Sequence, residues 1–247
     1  MRINGRVKSF SNLGFANLVK CLPPPTGTQY SIAIISDKNS WINEFIVSLK
    51  YHWLLQGNEI FHTHYEKDLL NADFCFYLGF SKIVTKQTLA KFKHNLVVHE
   101  SDLPLGRGWS PLTWQILEGL KLVPIVLFEA EAGVDSGAVY IKSLMQFSGY
   151  ELIEEIRRIQ GSETILLCQK FIQDYPEILV SKVIQNGEST FFRKRTRFDS
   201  HVDIETSIAE NFNLLRVADQ KNYPAFFEVD GNYYELQIRG ALKPDSV

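Results

Sequence analysis

Cysteine is scarce in this chain of 247 residues: Cys21, Cys75 and Cys168 are the only three, far apart and each set in apolar sequence. An odd, scattered set forms neither a disulfide framework nor the clustered thiolates of a zinc site, and it fits a reducing cytoplasm. Long apolar runs are missing too. None approaches the roughly 18 residues that cross a bilayer, and the segment 18–22 lacks the apolar core and cleavage site of a secretory signal. The chain is therefore expected to be neither secreted nor membrane-bound. Charge of one sign is also lacking, since 26 Lys and Arg against 28 Asp and Glu leave a formal net charge of −2. Without a broad positive field, a small ligand is expected in preference to nucleic acid, and no metal is expected.

What is present suffices for one sizeable core, with 45% hydrophobic and 13% aromatic residues. Residues 1–29, which end in Pro23, Pro24, Pro25, Thr26 and Gly27, read as an extension, 30–185 as the main domain and 186–247 as a small C-terminal part. From 31 to 128, apolar strands alternate with amphipathic helices, which predicts an α/β fold with a parallel sheet covered on both faces. The turn 36–40 after the first strand has no glycine fingerprint for a dinucleotide. His62 and His64 alternate on the second strand, without partners at metal spacing.

Chemistry concentrates in 99–111, HESDLPLGRGWSP. Leu96, Val97 and Val98 read as a buried strand that carries His99 at its carboxyl end, where open α/β sheets hold ligands. Ser110 stands where it can cap a helix beginning at Pro111 and stopping near Gly119. Pro104 fixes φ, while Gly106 and Gly108 permit geometries closed to other residues, so Arg107 and Trp109 are expected at a mouth facing the histidine. Pattern alone leaves two readings of His99 open: an acid–base group, or a histidine that happens to precede a helix. Asp135, in the loop VDSG, is similarly open. It is either a carboxylate that favours the charged imidazole and accepts a proton, or an Asp that closes a turn.

The order of strand, His99, Ser101, Leu103, Pro104, the Gly106-Arg107-Gly108 turn, Ser110 and Pro111, followed by Val134, Asp135, Ser136 and Gly137, resembles the formyltransferases that use N10-formyltetrahydrofolate. The resemblance spans 31–141, and its specific feature is the two loops in the right order and separation. It implies a Rossmann-like, parallel-sheet formyltransferase domain in which a primary amine attacks the formyl carbon. His99 and Asp135 would move the protons. Arg107, Gly108 and Trp109 would hold substrate, and Gly79, Phe80, Ser81 and Lys82 would border the folate pocket. In that family an asparagine two residues before the histidine polarises the formyl oxygen, whereas this chain has Val97. Asn95 shares the strand face but lies about 13 Å from His99 along an extended strand. His99 itself, a backbone amide or a residue from another loop is left to stabilise the oxyanion.

Beyond this, 150–159 and 164–172 read as two helices parted by Gly161, 203–217 as a helix, and 225–229 with 232–238 as a hairpin about Asp230 and Gly231. Arg193, Lys194, Arg195 and Arg197 form a positive cluster suited to a pyrophosphate, or to a solvated strand edge. FFRKRT, LLRVADQKNYPAFFE and the hairpin resemble the small β-rich C-terminal part of sugar-nucleotide amine formyltransferases. That implies a nucleotide-linked amino sugar as acceptor, a UDP-linked 4-amino-4,6-dideoxy sugar of the pseudaminic-acid type by preference. Arg195 would meet its phosphates, and a homodimer is compatible. The rival classes are formyl transfer to methionyl-tRNA or glycinamide ribonucleotide, and a folate- or nucleotide-binding protein without turnover.

Overall fold

The computed structural model describes residues 28–241 apart from residue 132. The expected extension 1–29, except for its last two residues, lies outside the described residues, as does Cys21. Six strands form the central sheet: β1 (Ser31–Ile35), β2 (Glu59–Thr63), β3 (Ala72–Tyr77), β4 (Phe92–His99), β6 (Leu122–Glu129) and β7 (Val139–Gln146). Their order is β2-β1-β3-β4-β6-β7. Helix α1 (Asn43–Leu55) links β1 to β2, the single turn α2 (Lys86–Leu89) precedes β4, and α3 (Pro111–Leu117) precedes β6. Period-two alternation explains how the sheet is buried on both faces. Ile32, Ile34, Phe74 and Phe76 join one apolar cluster with Trp53 of α1, while Ala33, Ile35, Cys75 and Tyr77 join another on the opposite face.

The sheet is mostly parallel rather than wholly so. Strands β1, β2, β3 and β4 run parallel, but β6 runs antiparallel to β4, and β7 antiparallel to β6. The connection from β4, through the loop after His99 and the seven-residue α3, returns the chain antiparallel beside β4.

Two further expectations are corrected. The two helices expected around Gly161 are one, α4 (Ile153–Gln173). A Cβ at Gly161 would stand 2.7 Å from the ring of Phe45, so the glycine admits a close approach of α1 rather than breaking the helix. Ser110 does not cap α3, because its backbone is left-handed, with φ at 49°, and its side chain makes no bond to the helix amides. In the C-terminal part, the helix α5 (Ile208–Arg216) is shorter than expected and is capped by Ser207. Strands β9 (Ala225–Val229) and β10 (Asn232–Leu236) form the hairpin.

Glu151, ahead of α4, accepts the amides of Ser148 at 2.6 Å and Gly149 at 3.1 Å and pairs with the buried Arg216 of α5 at 3.2 Å. Burial opposes its ionised form, but the hydrogen bonds from Ser148 and Gly149 outweigh this and lower its pKa to about 2. A carboxylate whose folded pKa is depressed stabilises fully above its unfolded value, and that contribution is lost as pH falls through the folded one. The thermal midpoint is expected to drop between pH 4.5 and about pH 2, less steeply in Glu151→Gln. Equal slopes for both proteins in a pH series of melts would refute this role.

Candidate functional site

After His99 the chain folds back over the sheet. Leu103 joins Val126 and Phe128 in a small apolar cluster against which Val97 packs. His99, 6% exposed, stands above it with its ring 6.4 Å from that of Phe128. The returning loop makes a two-residue strand, β5 (Arg107–Gly108), which pairs in parallel with β8 (Phe191–Phe192) of the C-terminal part. Trp109 N–H continues the pairing by donating to Phe192 O at 3.1 Å. Trp114 reinforces it, stacking on Phe192 and donating its indole N–H to Arg193 O at 3.0 Å.

Beside this pairing His99, at the end of β4, meets Asp135, in the loop between β6 and β7. His99 Nε2 lies 2.9 Å from Gly106 O and 3.8 Å from Asp135 Oδ2. The Gly108 N–H donates to the same carboxylate oxygen at 2.8 Å. The bond to a carbonyl requires a hydrogen on Nε2, so that nitrogen faces Asp135 as a donor. Asp135 adopts a left-handed backbone, with φ at 48°, a conformation Asp tolerates better than most residues. Thirty-six residues apart in the chain, the two side chains lie beside each other.

Val97 lies in the apolar floor and supplies no amide. Asn95 is committed elsewhere, accepting from Tyr77 OH at 2.9 Å and donating to Leu89 O at 3.0 Å. Glu100, next to His99, receives a bond from Gln160 at 2.7 Å. Burial, with the nearby Asp135 charge, pushes its carboxyl above the usual carboxylate range against the opposing pull of His99 and Gln160. Sequence reading passed over that role because an acid in a loop is ordinarily solvated.

The remaining expected site residues are placed as follows. Arg107 does not extend into open solvent. Its Nη2 donates to Gln185 at 2.6 Å, and its guanidinium lies 6.0 Å from the Phe191 ring. Trp109 is 39% exposed, with the Lys194 ammonium 4.7 Å above its ring. Arg195 is buried, bonded to Ser200 at 3.0 Å and lying over Tyr223, so it does not offer a phosphate the free charge expected of it. Gly79, Phe80, Ser81 and Lys82 follow β3 on the sheet edge beside the end of β4, where Ser81 N–H donates to Asp37 at 3.2 Å. His62 and Ser36 are 2.9 Å apart, but Ser36 also donates to Asn43, and burial, then the Lys50 charge, lowers the His62 pKa to about 4. The described residues hold no cluster of three or more His, Cys, Asp or Glu fit for a metal ion and no helix long and apolar enough to cross a membrane.

The mostly parallel α/β sheet, with His99 at the carboxyl end of β4 and Asp135 beside it, is Rossmann-like in architecture. No family model matches the chain. By sequence it is 26% identical over 151 residues to the methionyl-tRNA formyltransferase of Thermodesulfovibrio yellowstonii, an alignment covering 60% of this chain and 48% of that protein. The chain spans about half the length of the curated relatives it matches. By fold it is similar to the methionyl-tRNA formyltransferase from Clostridium thermocellum, with a TM-score of 0.69 and 24% identity over 86% of this chain and 93% of that one. HypX from Aquifex aeolicus in complex with tetrahydrofolic acid gives 0.69 and 16% over 85% and 38%. A sugar N-formyltransferase from Shewanella sp. FDAARGOS_354 gives 0.61 and 13% over 86% and 98%. The sequence likeness is thus to methionyl-tRNA formyltransferases, and the likeness to HypX and to the sugar N-formyltransferase is one of fold.

The close β5–β8 approach is directly testable. A Cβ at Gly108, where φ is 99°, would meet Phe192 O at 2.4 Å, whereas Gly187, with φ at 98°, has nothing within 4 Å. Gly187→Ala is expected to show only the backbone strain of about 1 kcal/mol, and Gly108→Ala roughly 1–3 kcal/mol more from the clash. Equal losses in urea denaturation would show that the strand pairing yields freely.

Proposed function

We propose that this protein transfers a formyl group from N10-formyltetrahydrofolate to the amine of a nucleotide-linked amino sugar. The observation that carries the transfer chemistry is the approach of Asp135 Oδ2 to His99 Nε2 at 3.8 Å, with Gly106 O and the Gly108 amide fixing each partner. Asp135 Oδ1 has no hydrogen-bond partner among the described residues and is free to take the proton that the attacking amine loses. His99 Nε2–H exchanges its bond to Gly106 O for one to the tetrahedral oxygen, the role that Val97 leaves open. As the bond between the formyl carbon and N10 breaks, N10 takes a proton from His99 Nε2 and the proton held by Asp135 restores the imidazole, so the proton lost by the amine is balanced by the one gained at N10.

The formyl donor fits the sheet edge beside this pair. Residues 79–84 form neither helix nor strand, and Phe80, Ile83 and Val84 lend them an apolar surface, Ile83 being 84% exposed. A flat heteroaromatic with a polar rim matches an apolar surface bordered by irregular backbone. Support for folate comes from the shared fold with HypX, which was solved with tetrahydrofolic acid.

Two observations favour a sugar nucleotide as acceptor. The cations of the β8 segment are largely engaged: Arg193 pairs with Asp199, Arg195 is buried, and Arg197 pairs with Glu235 at 3.2 Å. The exposed Lys194 on Trp109 suits a diphosphate better than a polynucleotide backbone. The fold is also shared with a sugar N-formyltransferase over 98% of that chain. Methionyl-tRNA is the second reading, and it rests on the curated relatives.

Isotope-labelled formyl donor, offered with UDP- and dTDP-linked 4-amino sugars and with methionyl-tRNA, is expected to label a nucleotide sugar. Label in methionyl-tRNA alone would overturn the acceptor. His99→Ala and Asp135→Asn should each cut kcat by about 10²- to 10⁴-fold, and unchanged turnover in both would refute the pair.

A further inference from the structure

Gln185 belongs to no helix or strand, yet its side chain joins both halves of the site. It lies between the turn Glu177–Ser181 and β8, two residues after Val183, which exchanges two backbone bonds of 2.8 Å with Val139 at the start of β7. Its carboxamide nitrogen donates to Asp135 O at 2.8 Å and to Gly137 O at 2.7 Å, using both hydrogens. Its oxygen accepts from Arg107 Nη2 at 2.6 Å. All the bonding capacity on the nitrogen is spent on the two carbonyls that bracket the turn of Asp135, and Arg107 fixes which way the amide faces.

Asp135 needs such a hold. Its φ of 48° is sparsely populated for a residue with a Cβ, and among the described residues a single hydrogen bond, from Gly108 N–H at 2.8 Å, aims its carboxylate at His99. Arg107 precedes Gly108 directly, so Gln185 grips the Asp135 turn and the strand whose amide donates to the carboxylate. We propose that Gln185 is a positioning residue which sets the Asp135 carboxylate against His99, with Arg107 locking its amide. This inference rests on the formyl-transfer reading above for its kinetic consequences, but not for the geometry it asserts.

Gln185→Glu keeps the shape and a partner for Arg107 while replacing the two N–H donors with an oxygen that faces two carbonyl oxygens. The variant is expected to fold, as judged by circular dichroism and its urea midpoint. Its kcat should fall about 10- to 100-fold with little change in KM for the formyl donor. In an Asp135→Asn background, adding Gln185→Glu should change kcat by less than about twofold, because no carboxylate remains to be placed. The ¹⁵N resonances of the His99 imidazole give a readout that needs no turnover, and in Gln185→Glu they should move toward their positions in Asp135→Asn. Gln185→Leu, which lacks both donors and the acceptor, should shift them the same way if Gln185→Glu fails to fold. Full loss of kcat in the double variant relative to Asp135→Asn, or unmoved His99 resonances, would overturn the proposal. If no amine is formylated even by the unsubstituted protein, the proposed function fails, while the resonance comparison still decides the role of Gln185.

Discussion

The short parallel pairing of Arg107–Gly108 with Phe191–Phe192 joins segments that lie more than eighty residues apart, and everything at the site hangs from it. Parallel neighbours cannot be made by a tight turn, so the loop after His99 and the chain after α4 each have to arrive separately. Once they meet, Gly106 O comes under His99 Nε2 and the Gly108 amide faces Asp135. The geometry allows no side chain at Gly108, where a Cβ would fall 2.4 Å from Phe192 O. Trp114 fastens the pairing from α3, with its ring on Phe192 and its indole N–H on the Arg193 carbonyl. The C-terminal part is thereby a structural component of the site rather than an appendage to it.

Two ionisable side chains over an apolar floor interact more strongly than they would in water, because little solvent screens them. Leu103, Val126 and Phe128 make that floor, and Val97 packs against it. Asn95, tied to Tyr77 and Leu89, brings no free amide to the pair. In the proposed chemistry this shifts oxyanion stabilisation onto the same ring that delivers a proton. The half-buried Glu100, pushed toward its neutral form by burial and by Asp135, limits the negative charge collected around the pair.

Ser31–Ile35 and Glu59–Thr63 were legible from residue pattern, where apolar positions ran together, whereas β4 begins four residues before the stretch Leu96 to Val98 that pattern marked and β7 was not foreseen. The hairpin at Asp230 and Gly231 was equally clear, because both residues take positive φ, which few other pairs allow. Gly161 misled because glycine breaks an isolated helix, whereas here it lies under the ring of Phe45. Ser110 misled because capping depends on a backbone angle that composition does not report. Arg195 looked like an anion site on charge alone, and only packing revealed that Ser200 and Tyr223 enclose it.

By itself, the sequence determined an α/β domain, the loop that bears His99 and the loop that bears Asp135. These follow from local causes: the period of apolar residues, the φ freedom of glycine and proline, and the chemistry each side chain carries. Tertiary structure alone decided that β6 turns antiparallel, that Arg107 serves Gln185, and that one carboxamide from a segment without regular structure spans both loops. Those outcomes depend on distances between residues far apart in the chain, and such distances are set by how elements pack rather than by what any short stretch prefers.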